Sequence, residues 1–95
     1  MPKLPKNEIM AALVGFEEWK YDIEKEMLVM ESEFENFVKA MGFINRVAEV
    51  AERLDHHPDI TIYGWNKVRI ATISHDLNAI TERDIELMKE LNQIL

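Results

Sequence analysis

The residues best suited to chemistry are three histidines. His56 and His57 stand side by side in Glu52-Arg53-Leu54-Asp55-His56-His57-Pro58-Asp59, and His75 follows in Ser74-His75-Asp76. Imidazole ordinarily titrates near neutrality, so a group of such rings can hold and pass protons with no other catalyst. Two other chemistries compete for the same residues. Zinc binding calls for three or four clustered ligands, yet the chain has no cysteine and no pair of histidines four apart. Nucleophilic catalysis needs an activated Ser or Cys, and Ser74, though beside His75, lacks the sharp-turn context of such a nucleophile. General acid–base chemistry fits best.

These rings must be carried by defined elements. Phe37 to Leu54 reads as the longest helix, with Phe37, Met41, Ile44, Ala48 and Ala51 recurring at steps of four and three, flanked by Ala40, Val47 and Leu54 in one wide apolar stripe. Asn36 is its expected cap, with Ser32-x-x-Glu35 as a competing capping box. Gly42 weakens the helix interior, a cost that a close approach by another element would explain. Pro58 pushes the residue before it out of helical geometry, so the helix should stop near His56. His56 then occupies the last turn, one face with Glu52, and His57 the extended exit. The negative end of the helix favours imidazolium there.

Around that helix the chain divides into short elements. Ile9, Met10, Leu13 and Val14 mark a helix of about two turns, capped by Asn7 and ended by Gly15. Phe16 to Asp22, with Trp19 and Tyr21 on one side, and Met27 to Phe34 read as a hairpin. Ile60 to Tyr63 and Val68 to Ile73 read as a second, with Gly64 marking a bulge or turn. Thr81-x-x-Asp84 opens a last helix whose buried face is Ile85, Met88, Leu91 and Leu95. The order αββαββα is most simply an α+β fold, a four-stranded antiparallel sheet with the helices on one face.

Ninety-five residues suit a single domain spanning 1–95, because a second would be too small to bury a core. A 47% hydrophobic and 31% charged composition is that of a folded domain rather than a disordered one. Eighteen acidic residues against 11 basic, a net of −7, disfavour direct nucleic-acid binding. No apolar run approaches a membrane span and no signal-peptide core follows the first residues, so no membrane association is expected. The lack of cysteine makes the cytoplasm the simplest location. A domain this small gains stability from burial at an interface between copies.

Taken together, Glu52-x-x-x-His56-His57-Pro58, then Trp65, nine residues, His75, eight residues and Asp84 resemble the signature of the pterin-4a-carbinolamine dehydratases. The similarity extends through Asn66-Lys67-Val68, Ser74-His75-Asp76 and Thr81-x-x-Asp84-Ile85-x-Leu87, and upstream through Phe34-x-x-Phe37 and Phe43-x-x-x-Val47-Ala48. It covers most of residues 16–95. The resemblance implies loss of water from a 4a-hydroxytetrahydropterin to give the quinonoid dihydropterin, with no metal or organic cofactor. It implies a homodimer or homotetramer. It also implies that His56, His57 and His75 surround the pterin as acid–base groups, with Glu52, Asp55, Pro58, Trp65, Ser74 and Asp76 as binding residues. Expelling the 4a-hydroxyl needs an acid on that oxygen while N5 loses a proton, which agrees with a cluster of imidazoles. Some members of that family also partner a homeodomain transcription factor, so a non-catalytic interaction protein on the same scaffold is the alternative reading.

Two departures stand out. Members commonly carry a glycine pair before the last helix, where this chain has Leu77-Asn78-Ala79-Ile80. Asn78 tolerates a left-handed conformation but Ala79 adopts it at a cost, so a differently shaped turn after His75 is expected. The interval from Asp59 to Trp65 is one residue longer than in many members, which a bulge near Gly64 would absorb. Ordinary structural roles also compete for several residues. Asp84 reads first as a cap, Trp19 and Trp65 as packing residues, and Glu52 equally as a charged helix face.

Overall fold

A computed structural model describes residues 1–95. The elements are α1 (Lys6–Ala12), β1 (Trp19–Asp22), β2 (Met27–Glu33), α2 (Phe37–Leu54), β3 (Asp59–Tyr63), β4 (Lys67–Thr72) and α3 (Glu82–Asn92). The four strands form one antiparallel sheet in the order β1-β2-β4-β3. The α+β architecture and the order αββαββα are those expected from the sequence. Strand alternation assigns the faces: Trp19, Leu28, Met30, Val68, Ile70 and Thr72 are buried towards the helices, while Lys20, Glu31 and Thr61 point the other way into solvent.

Local chemistry sets the boundaries. The Asn36 side chain accepts from the Lys39 amide at 2.8 Å, so Asn36, not the Ser32 box, caps α2. Helix α1 begins at Lys6, with Pro5 rather than Asn7 in the cap position and no side-chain cap bond. Residues 16–18 are left out of β1, and Gly15, with φ of 86°, makes the turn between them and α1. The β3–β4 hairpin keeps an unbroken register from Asp59↔Ala71 to Tyr63↔Lys67. No bulge is needed there, because Gly64 and Trp65 both take positive φ in the turn and accommodate the longer interval.

The buried face of α2 is one side of the wide stripe its spacing predicted: Ala40, Val47 and Ala51 are buried as expected, and Phe43 and Val50 join them. Phe43 stacks tilted against Phe34 with centroids 5.0 Å apart. Phe37 is 51% exposed, Ala48 is exposed, and Met41 and Ile44 are half-buried. The sheet takes the side of the stripe that contains Phe43. Gly42 faces open space, so no element of the chain explains its missing side chain. In α3, Ile85, Leu87, Met88 and Leu91 are buried, whereas Leu95 lies beyond the helix and is exposed.

Candidate active site

The end of α2 carries the first two rings, but not as the proline suggested. The helix stops at Leu54, and Asp55 takes a left-handed conformation (φ 52°, ψ 45°) as its cap. The His56 amide then bonds back to the Ala51 carbonyl at 3.0 Å, satisfying a helix-end acceptor. The left-handed step lifts His56 off the helix face it was expected to share with Glu52. Glu52 instead meets His57, with Oε2 2.5 Å from Nε2, on the surface. His56 turns inward, only 7% exposed, and places Nε2 2.6 Å from Oδ1 of Asp84.

Asp84 is fully buried at the start of α3. Its expected capping role holds: Oδ2 accepts from the Thr81 amide at 2.9 Å, and the Thr81 hydroxyl caps the helix in return. The same carboxylate also accepts from the Thr72 hydroxyl at 2.6 Å on Oδ1 and from the Ser74 hydroxyl at 2.8 Å on Oδ2. Ser74 is further bonded to Thr81 at 2.7 Å. Buried polar groups require such partners, and here they tie the end of β4 to the start of α3.

His75 sits in the turn between Ser74 and Ala79, which are joined as an isolated bridge. It is exposed and forms no side-chain hydrogen bond within the chain. Asn78 takes φ of 54°, the left-handed conformation open to asparagine. Ala79 does not take positive φ and is buried, so the expected cost at that residue does not arise.

These pieces meet in one open cavity of about 340 Å³ lined by Asp55, His56, His57, His75, Asp76 and Arg83. All three imidazoles reach it although they come from two separate turns. Four of the other residues named from the sequence do not line it. Glu52 stands behind His57, Ser74 is sealed in the Asp84 network, and Pro58 is half-buried on the exit from α2. Trp65 lies at the far end of the β3–β4 hairpin, separated from the histidines by the length of β3, roughly 13 Å at about 3.3 Å per residue. At 62% exposed it is not a packing residue either, unlike Trp19, which is buried in the core. Arg83 is the lining residue that spacing did not single out. Its guanidinium donates to the Asp55 carbonyl, bracing the cap of α2 against α3. An arginine in the first turn of a helix gives no sequence signal for such a contact. No group of three or more His, Cys, Asp or Glu side chains is arranged to hold a metal ion.

Comparison with known proteins now decides the family. The family model described as Pterin 4 alpha carbinolamine dehydratase matches residues 2–94. This chain belongs to that family. A relative from Acidobacterium capsulatum, provisionally named a pterin-4-alpha-carbinolamine dehydratase, is 40% identical over 95 residues, covering 100% of both chains. One from Sulfolobus acidocaldarius with the same provisional name is 36% identical over 92 residues, covering 97% of this chain and 98% of the relative. Among solved structures, a transcriptional coactivator/pterin dehydratase from Brucella melitensis superposes with a TM-score of 0.90 at 31% identity, covering 98% of each chain. A pterin dehydratase-like protein described as a RuBisCO assembly factor in the alpha-carboxysome shares the fold, with a TM-score of 0.67 at 19% identity, covering 81% of this chain and 88% of that one. The pterin dehydratase fold therefore serves proteins of more than one description.

Proposed function

We propose that this member of the pterin carbinolamine dehydratase family is an active, cofactor-independent enzyme that dehydrates 4a-hydroxytetrahydropterin, the tetrahydrobiopterin form included. The observation that carries this reading is the convergence of His56, His57 and His75 on one cavity. In the reaction the C4a–O bond breaks and the oxygen leaves as water after taking a proton. N5 loses its proton, and its electron pair forms the C4a=N5 double bond of the quinonoid product. His56 or His75 supplies the proton to the leaving oxygen, while His57, held by Glu52, positions the ring and assists proton removal at N5. The Asp55 and Asp76 side chains give the polar lining acceptors for the N–H groups of a pterin edge.

The test is the dehydration rate with the intact protein and with His56→Ala, His57→Ala and His75→Ala. Each histidine that acts as an acid or base should cost about 10²-fold or more when removed. Full activity in His57→Ala would remove it from the mechanism. No acceleration by the intact protein would remove the enzymatic reading altogether.

The reading extends to the whole chain, residues 1–95 acting as one domain in the cytoplasm and assembling as a homodimer or homotetramer. The support for assembly is the apolar edge of α2, where Phe37 and Ala48 are exposed and Met41 and Ile44 only half-buried. The same edge favours the second reading, a non-catalytic interaction protein. That protein would bind its partner equally well when His56 and His57 are replaced.

A further inference from the structure

We infer that Asp84 is a positioning residue that fixes which nitrogen of His56 carries the proton, so that Nδ1 faces the cavity as a hydrogen-bond acceptor when the ring is neutral. This rests on the proposed dehydratase reading for its catalytic consequence, but not for its geometry.

The assignment follows from counting protons around a buried carboxylate. The Thr81 amide has only a hydrogen to offer, and it points at Oδ2. The Ser74 hydroxyl has a single hydrogen, which goes to the same oxygen. Thr81 must then donate its own hydroxyl hydrogen to Ser74, and it accepts in turn from the Arg83 amide at 3.2 Å. Every group in this chain is spent pointing protons towards Asp84. On the other side Thr72 donates to Oδ1, and the remaining place on Oδ1 belongs to His56 Nε2. Three donors independent of His56 thus already point at this carboxylate, two at Oδ2 and one at Oδ1, which is the pattern of a group that accepts only. The place left on Oδ1 is then an acceptor's place, and His56 fills it by donating its Nε2 proton.

The other nitrogen is left for solvent and substrate. Nδ1 of His56 forms no hydrogen bond within the chain, and the one buried side-chain polar atom without a partner is Nε1 of Trp19. His56 Nδ1 is thus open to solvent, on a ring that lines the cavity. The capping box of α3 has a second use: the atoms that start the helix also set the tautomer of the catalytic ring.

Asp84→Asn tests this with almost no change of shape. The Thr81 amide can face only the carbonyl oxygen of the new side chain, which must take the Oδ2 place and keep the helix capped. The amide NH₂ then occupies the Oδ1 place. Thr72 can rotate to accept from it, but His56 Nε2 must give up its hydrogen, which moves to Nδ1. Nitrogen-15 NMR of the imidazole, followed to high enough pH to see the neutral ring, reads the tautomer directly and needs no substrate. The intact protein should show the Nε2–H form and Asp84→Asn the Nδ1–H form, and dehydration by the variant should fall roughly 10²-fold in kcat with little change in KM.

An Nδ1–H ring in the intact protein overturns the inference, and so does an unchanged tautomer in a folded Asp84→Asn. Should that variant fail to fold, the intact protein and Thr72→Val still decide, because removing Thr72 leaves the Asp84–His56 pair and should keep Nε2–H. Loss of the Nε2–H form in Thr72→Val would count against it. A tautomer that flips as described in a protein without dehydratase activity would sink the proposed reaction and leave the positioning role standing. Histidine-dependent activity with an unflipped tautomer would do the reverse.

Discussion

At the scale of single residues, what could be read in the sequence was type and spacing, and what could not was direction. Imidazoles at 56, 57 and 75 were recognisable as a set, and they do share a cavity. Their partners were assigned by helical spacing, which pairs Glu52 with His56. One left-handed residue, Asp55, rotates the following backbone and exchanges the partners, sending His56 to Asp84 and His57 to Glu52. A left-handed aspartate at a helix end is visible only once the backbone is traced. A second residue pair lies on the open face of the sheet, where the Tyr63 hydroxyl donates to Glu31. That bond, then burial and the negative charge of Glu31, raise the phenol above its ordinary 10.0. The folded state therefore holds this proton more tightly than the unfolded chain. The stability it adds is complete below pH 10.0 and is lost as pH climbs from there through the raised folded value. Ultraviolet titration should show one of the two tyrosines ionising late, and Glu31→Gln should bring it back towards 10.0. Two tyrosines titrating together in the intact protein would show that the bond does not persist in solution.

At the scale of elements, the order, the hairpins and the Thr81–Asp84 capping box were legible because each rests on local chemistry: a cap, a turn, an alternation. The face of α2 was legible only in part: a wide stripe was evident, but not which side of it would be buried. An 18-residue helix with apolar residues at 37, 41, 44 and 48 and again at 40, 43, 47 and 50 offers two sides of one stripe, about a third of a turn apart, and periodicity alone does not rank them. Packing does. Phe43, against Phe34 and within the central cluster, fills space that the sheet must close. Phe43→Ala should therefore lower unfolding stability by about 3–5 kcal/mol, as large aromatic deletions from cores do. A denaturant titration that found a loss below 1 kcal/mol would show that the helix had rolled onto the other side of the stripe. The Asp84 network belongs to this scale too, since its four donors come from β4, from the loop after it and from α2's exit. No short motif announces a carboxylate shared by three elements.

At the scale of the whole molecule, the helices cover one face of the sheet and leave the other side of the α2 stripe only partly covered. Phe37 at 51% and Val38 at 76% exposed, with Met41 and Ile44 half-buried beside them, form a continuous apolar strip along one helix. Scattered exposed apolar residues are normal on a protein surface, but a strip at alternating steps of four and three is the spacing that packs helix against helix. The proposed second copy would lay the same strip against this one around a two-fold axis. Gly42, which meets nothing within the chain, lies towards the edge of the strip. Burying the strip between copies would add to the stability of this 95-residue chain. Sedimentation of the intact protein should give a mass that is a multiple of the 11.2 kDa chain. Phe37→Glu, which places a charge on the strip at a half-exposed residue outside the core cluster, should release a folded monomer of 11.2 kDa. An intact protein that sediments at 11.2 kDa would exclude the assembly. An assembly unaffected by the charge would place the interface elsewhere, with the unpaired edges of β1 and β3 next in line.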